Sequence, residues 1–448
     1  MNSFSTPISK QPAILINSAS SPLPSSSDEL LLDSDYERAV EDDSNEQDPI
    51  CGGLCRRISK LPASARAFLL FIVVGSVVGL FVGLLLGPAQ ESQDSSNTSG
   101  TGGFPVVLNT WFEGSTTTAW NLLSNGSAAL DAVEAGCQFC EDARCDGTVG
   151  WGGSPDTTGE TTLDALIMDG VTLDVGAVSY LRRVRHAISA ARKVLHYSTH
   201  TILSGDGATN FSLMMGLEEQ DSHSPESIKS YSDWVNASCQ PNYFLNVQGQ
   251  STSCPPYLPI PTPTYTPVAS PSSSSSSSSW MSDSVRNMNK RSVNIRQRPV
   301  PATRRDHDTV GMCAIDIAGN IAAGVSSNGA NHKISGRVGD APIVGAGGYA
   351  SNEGGCAAAT GDGDITMRFL PAYQAVENMR LGMDPTAACT DAVKRIEKYY
   401  PKFELGLLCV DTQGRYGAAS HGWTFTFCAA SNNTSGVTVC TQVKAMDA

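Results

Sequence analysis

Arg305-Asp306-His307-Asp308-Thr309-Val310-Gly311-Met312 places an Asp-Thr peptide bond between a segment of linker composition and an apolar, strand-forming run. A threonine hydroxyl is a weak nucleophile unless a base stands beside it, and the residue's own α-amine becomes that base if the chain is cut immediately upstream. Thr309 would then be both cleavage point and nucleophile, and Asp308 the new carboxyl terminus. Alone, an Asp-Thr dipeptide is an ordinary way to open a strand. Its surroundings decide the reading.

The run Thr309 to Asp316 and the run Asn320 to Ser327 read as two strands joined by Ile317-Ala318-Gly319. A three-residue hairpin loop needs a positive φ at its last place, which Gly319 adopts without a Cβ clash. Counting back in antiparallel register pairs Asp316 with Asn320 and Thr309 with Ser327, on one face of the sheet. The Ser327 hydroxyl is therefore expected beside the nucleophile.

The segment from His307 to about Pro385 contains HDTVGM, IAAGVSSNG, GRVGDAPIVGAGGYA and AAATGDGDITMRFLPAYQAVE. It resembles the β-subunit of the glycosylasparaginases, a family of N-terminal-nucleophile hydrolases. Upstream, Pro105 to Trp111, the run Cys145 to Gly170 and the CQPNY run from Cys239 resemble the α-subunit. The likeness extends from roughly Phe104 to Thr426. It implies a four-layer αββα sandwich, self-cleavage at Asp308-Thr309, and hydrolysis of the amide that joins N-acetylglucosamine to asparagine. By the same resemblance Thr309 is the nucleophile, Ser327 tunes it, and Thr360 with the Gly361 N–H forms the oxyanion hole. Arg337 would take the substrate's α-carboxylate and Asp340 its α-ammonium, with Trp111 and Ser154 lining the pocket. Disulfides Cys140–Cys145, Cys239–Cys254 and Cys389–Cys409 are implied as well. Where the family begins its last bridge this chain has Ser420, so Cys428 and Cys440 either pair with each other or take other partners.

Other readings of the same chemistry stay open. Related asparaginases and isoaspartyl peptidases share the Thr-Val-Gly start, although they usually carry a His-Gly-Gly-Ala-Gly-like run where this chain has Asn109-Thr110-Trp111. An uncleaved, inactive, membrane-tethered binding protein is the alternative outside enzymes.

Composition divides the chain into 1–66, an acidic tail; 67–87, a membrane span; 88–103, a linker; 104–254, the α-part of the hydrolase; 255–308, a Ser/Pro-rich linker; and 309–448, the β-part. Residues 67–87 carry no charge and are long enough to cross a bilayer as a helix. Arg56, Arg57, Lys60 and Arg66 precede them, and no basic residue follows until Arg144, which keeps the amino-terminal tail cytosolic. Sequons at Asn97, Asn125, Asn210, Asn236, Asn432 and Asn433 all lie beyond the span, on the lumenal side. The expected location is the lysosome or vacuole. Residues 1–50 hold ten acids and two bases, −8 of the formal charge of −14, and no basic nucleic-acid footprint exists. Asp28 to Asp33 is either a dileucine-like sorting signal or plain solvated acid, and Cys51 and Cys55 sit where palmitate is attached.

Past the span the compartment is oxidising, so cysteines read as disulfides rather than metal ligands. Cys137-x-x-Cys140-x4-Cys145 lacks a fourth zinc ligand, and the seven histidines show no metal spacing. Gly345-Ala-Gly-Gly348 is an incomplete dinucleotide fingerprint, and Thr360-Gly-Asp-Gly-Asp364 lacks the Lys-Ser/Thr of a phosphate loop. No metal and no cofactor is expected. The partners implied are a glycoasparagine, the two fragments of the chain, and a second such unit in a dimer. Strands are expected at 106–111, 163–168, 309–327, 406–411 and 423–427, and helices at 117–124, 128–140, 178–196, 365–379 and 385–399.

Overall fold

The hairpin that begins at Thr309 lies in the middle of the larger of two stacked sheets. A computed structural model of the chain describes residues 103–261 and 309–446. The acidic tail, the span at 67–87 and residues 262–308, which hold most of the Ser/Pro-rich linker and Asp308, lie outside the described residues, and among those described no helix is long and apolar enough to cross a membrane.

In chain order the elements are β1 (Val106–Thr110), α1 (Glu113–Ser124), α2 (Ala129–Ala143), β2 (Leu163–Asp169), β3 (Val175–Leu181), α3 (Ala187–Tyr197), β4 (Ile202–Ser204), α4 (Gly205–Met214) and α5 (Pro225–Asn236). After the linker come β5 (Val310–Ile315), β6 (Ile321–Ser327), β7 (Gly348–Ser351), β8 (Gly355–Gly361), α6 (Gly363–Thr366), α7 (Pro371–Arg380), α8 (Pro385–Glu397), β9 (Leu405–Val410), β10 (Tyr416–His421), β11 (Phe425–Ser431) and β12 (Val439–Val443). One sheet runs β12-β11-β1-β5-β6-β2-β3-β4, the other β10-β9-β8-β7.

Alternation along the strands explains the layering. On β5, Met312 and Ala314 pack with α1, α2 and α3, whereas Cys313 and Ile315 face the other sheet. On β8, Cys356 and Ala358 face the larger sheet, and Ala357 and Ala359 pack under α7 and α8. The order is helix, sheet, sheet, helix. Strands buried on both faces read as continuous apolar runs rather than alternating ones.

The hairpin has the register counted from its loop: Val310 pairs with Ser326, Ile315 with Ile321, and the Asp316 N–H donates to Asn320. Gly319 adopts φ +85. The expected helix over 178–196 is a correction. Val175–Leu181 is strand β3, paired with β2, and the helix starts only at Ala187. Tyr180 within the end of β3 and Arg183 after it redirect the chain toward the helix through positive φ values of 49 and 58. The expected helix over 365–379 is interrupted as well, because Leu370 takes φ 52 and Pro371 opens α7.

Disulfides join Cys140 to Cys145, Cys239 to Cys254 and Cys389 to Cys409, and Cys428 pairs with Cys440 across β11 and β12. A fifth, Cys313–Cys356, ties β5 to β8 across the interior; the sequence reading did not foresee it.

Candidate active site

Thr309 stands one residue before β5, buried to 3 % exposure, and strand parity points it between the sheets. Thr360 has the same parity on β8, so the two strands present both threonines to one interior edge. Their contact is direct. The Thr309 N–H donates to Thr360 Oγ1 at 3.0 Å. From β1, Thr110 Oγ1 donates to the Thr309 carbonyl at 2.7 Å and accepts the Gly311 N–H at 2.9 Å. One hydroxyl of β1 thereby bridges the nucleophile's carbonyl and the N–H two residues on.

Ser327 faces Thr309 across the hairpin, yet its hydroxyl accepts the Gly329 N–H at 2.9 Å; among the described residues it makes no hydrogen bond to Thr309. Gly361 adopts φ +137, and a Cβ there would meet the Glu404 carbonyl oxygen at 2.3 Å, so only glycine fits where β8 turns away.

Arg337 and Asp340 converge above Gly363. A Cβ on that glycine would meet Asp340 Oδ1 at 2.6 Å and Arg337 Nη2 at 3.2 Å. Asp340 Oδ2 is buried without a hydrogen-bond partner among the described residues. Burial pushes the Asp340 carboxyl up to about 7, with the Arg337 charge pulling the other way. Burial works against the charge of Arg337, but Asp364, Asp164 and Asp340 together outweigh it and hold the guanidinium above its ordinary value.

The loop that carries these two residues is held by buried ionic groups that the sequence reading missed. Asp164 accepts the Gly339 N–H at 3.0 Å and the Tyr180 N–H at 2.8 Å. Lys333 Nζ donates to the carbonyls of Asn328 and Ser154, at 2.8 and 3.2 Å. Burial lowers Lys333 to about 8 and raises Asp164. A lysine in a loop and an aspartate at the start of an apolar run carry no spacing signal. Only the fold brings them together.

Trp111 packs edge-on against Trp423 at 5.2 Å between ring centroids, and against Phe425 at 6.4 Å. Ser154 lines a cavity of about 200 Å³ with Gly147, Thr148, Pro155 and Asn331, whose lining does not include Thr309, Arg337 or Asp340. Among the described residues no cluster of side chains could hold a metal ion.

A buried threonine at a strand start, bonded to a hydroxyl from the facing sheet, with a guanidinium and a carboxylate side by side at Gly363, three residues further along the strand-to-helix turn, suits amide hydrolysis on a zwitterionic substrate. A profile of the family described as asparaginase matches residues 106–440. An N(4)-(beta-N-acetylglucosaminyl)-L-asparaginase of Rattus norvegicus is 48 % identical over 324 residues, covering 71 % of this chain and 85 % of the rat protein. A probable isoaspartyl peptidase/L-asparaginase 3 of Arabidopsis thaliana is 43 % identical over 379 residues, covering 84 % of this chain and 99 % of that protein. A putative N(4)-(beta-N-acetylglucosaminyl)-L-asparaginase of Drosophila melanogaster is 47 % identical over 324 residues, covering 71 % of this chain and 76 % of its own. Site geometry and relatives converge, and the chain belongs to the asparaginase family of N-terminal-nucleophile amidohydrolases.

Proposed function

We propose that the chain cleaves itself at Asp308-Thr309 and then hydrolyses the amide between N-acetylglucosamine and asparagine in glycoasparagines. In the precursor the Thr309 hydroxyl attacks the Asp308 carbonyl, the amide becomes an ester, and water releases Asp308 as a carboxylate and Thr309 as a free amine. That amine takes the hydroxyl proton, since an α-amine titrates nearer neutrality than a lysine. The Thr309 oxygen then attacks the side-chain amide carbon of the substrate. Glycosylamine leaves with a proton, and a second water hydrolyses the aspartyl ester to aspartate. Thr360 and the Gly361 N–H stabilise the oxyanion at each addition, a contribution of about 3 kcal/mol per donor. Ser327 supports the nucleophile's strand end, and Trp111 shapes the approach.

The observation that carries this reading is the unpartnered, buried Asp340 Oδ2 beside Arg337. An ammonium satisfies the carboxylate and a carboxylate satisfies the guanidinium, which is the amino-acid half of a free asparagine conjugate. The names of the rat and Drosophila relatives favour the glycosylated asparagine. The test is turnover of N-acetylglucosaminyl-asparagine against β-aspartyl dipeptides. Faster release of aspartate from the former is expected, and preference for the dipeptide transfers the assignment to isoaspartyl peptidase.

The proposed setting is the lumen of a lysosome or vacuole, with residues 67–87 as a single anchor, the amino terminus in the cytosol, and αβ units paired as dimers. All five sequon asparagines within the described residues, Asn125, Asn210, Asn236, Asn432 and Asn433, are exposed, as glycosylation requires.

A further inference from the structure

Arg337 has a neighbour that the mechanism above does not use. Asp364 Oδ2 accepts from Arg337 Nε at 3.2 Å and from Nη2 at 2.8 Å. The arginine side chain is 15 % exposed and the aspartate 48 % exposed, so the pair sits at the rim of the site with its guanidinium turned inward. Asp364 belongs to α6, the short turn that follows Thr360 and Gly361 directly.

Which edge of the guanidinium is occupied decides what the contact does. A guanidinium has five N–H donors and two forked edges. Asp364 takes the Nε–Nη2 edge. Nη1 has no hydrogen-bond partner among the described residues, and it lies where Cβ atoms on Gly339 or Gly329 would come within 2.7 and 3.0 Å of it. The Nη1–Nη2 edge therefore remains intact, and that edge offers two parallel donors to a carboxylate. A carboxylate bound on the occupied edge would compete with the substrate. Asp364 instead leaves the second edge open and restricts rotation about the arginine's terminal bonds, so less side-chain entropy is lost on binding.

We propose that Asp364 is a positioning residue for substrate recognition: it holds the Nε–Nη2 edge of Arg337 so that the Nη1–Nη2 edge meets the substrate's α-carboxylate. The proposal rests on reading Arg337 as the carboxylate anchor. It adds a residue from the turn that follows the strand carrying Thr360, so the oxyanion donors and the arginine are aligned by one turn of chain.

The test compares the full chain with Asp364→Asn, Asp364→Glu and Arg337→Lys, using N-acetylglucosaminyl-asparagine and an analogue whose α-carboxylate is replaced by hydrogen. Asp364→Asn is expected to raise KM for the parent substrate roughly tenfold while kcat falls less than about threefold, as a lost charge-assisted bond predicts. On the analogue the same variant is expected to change kcat/KM by no more than about twofold, because there is no carboxylate to align. Asp364→Glu is expected to recover part of the loss, and it takes over the comparison if the Asn variant fails to fold and cleave. A lower KM in Asp364→Asn shows competition and overturns the proposal. Equal losses on both substrates show a general structural role and overturn it too. Arg337→Lys that keeps full preference for the carboxylated substrate overturns the reading of the anchor itself, and the proposal with it.

Discussion

Asp340 and Glu141 are both buried acids with raised pKa values, and they make opposite statements about pH. Asp340 takes an ammonium only when ionised, and burial holds its carboxyl at about 7 in the free site. As pH falls through that value the site loses its charge, so KM should rise on the acid side while a bound ammonium pulls the group back toward ionisation. Measuring KM from about pH 5 to pH 9 checks this, and a KM that is flat or falls toward acid speaks against Asp340 as the ammonium partner. Glu141 serves stability instead. Its Oε1 accepts from Ser326 and from the Ile188 N–H, Oε2 has no partner among the described residues, and burial pushes the carboxyl up to about 8 from 4.5. Below 4.5 both folded and unfolded states hold the proton; between 4.5 and 8 only the folded state keeps it, so stability falls as pH rises through that window. Thermal unfolding of wild type should therefore show a lower midpoint near pH 8 than near pH 5, and Glu141→Gln should narrow the difference. An unchanged pH dependence in the variant removes Glu141 from the account.

Among the elements, β5 and β8 are joined twice, at their site ends by the Thr309–Thr360 hydrogen bond and four residues away on each strand by Cys313–Cys356, which reaches the far end of β8. Closing 43 residues of chain by this bridge is worth about 4 kcal/mol on a chain-entropy estimate. The double replacement Cys313→Ala and Cys356→Ala should lower the unfolding midpoint by several degrees and leave a folded protein with slower turnover. Equal stability of the variant and its parent contradicts a pinning role. The hairpin was legible in the sequence because Gly319 fixes the loop and a fixed loop fixes the register. Strand β3 was not, since Val178, Leu181, Ile188 and Ala191 fall at helical spacing while the demand that made 175–181 a strand came from β2, an element outside the window. Strands β7, β8 and β10 also escaped notice, because their short runs of Gly, Ala and Ser carry little alternation and, apart from Thr360, no β-branched residue. In the site, motif matching reached Thr309, Thr360, Arg337 and Asp340. Asp164, Lys333, Thr110 and Asp364 act through contacts with residues distant in sequence, and the turn that carries Asp364 has the look of an incomplete phosphate loop.

At the scale of the whole molecule, the two parts of the chain are interleaved. Strand β1 lies between β11 and β5, and β2 lies beside β6, so a cut at 308–309 leaves the sheet assembled by hydrogen bonds and packing across both fragments. No disulfide among the described residues crosses that cut, because Cys140–Cys145 and Cys239–Cys254 precede it and Cys313–Cys356, Cys389–Cys409 and Cys428–Cys440 follow it. The cleaved protein should therefore migrate as one species under native conditions and as two fragments in denaturant without reductant; fragments held together until reductant is added contradict the pairing. The most direct measurement is mass-spectrometric identification of the amino terminus of the carboxyl-terminal fragment from active protein, with Thr309→Ala in parallel. The account predicts a terminus at Thr309 in the wild type, and in the variant one uncut chain with no turnover. Turnover by protein whose backbone is continuous from Asp308 to Thr309, or by the alanine variant, would contradict it.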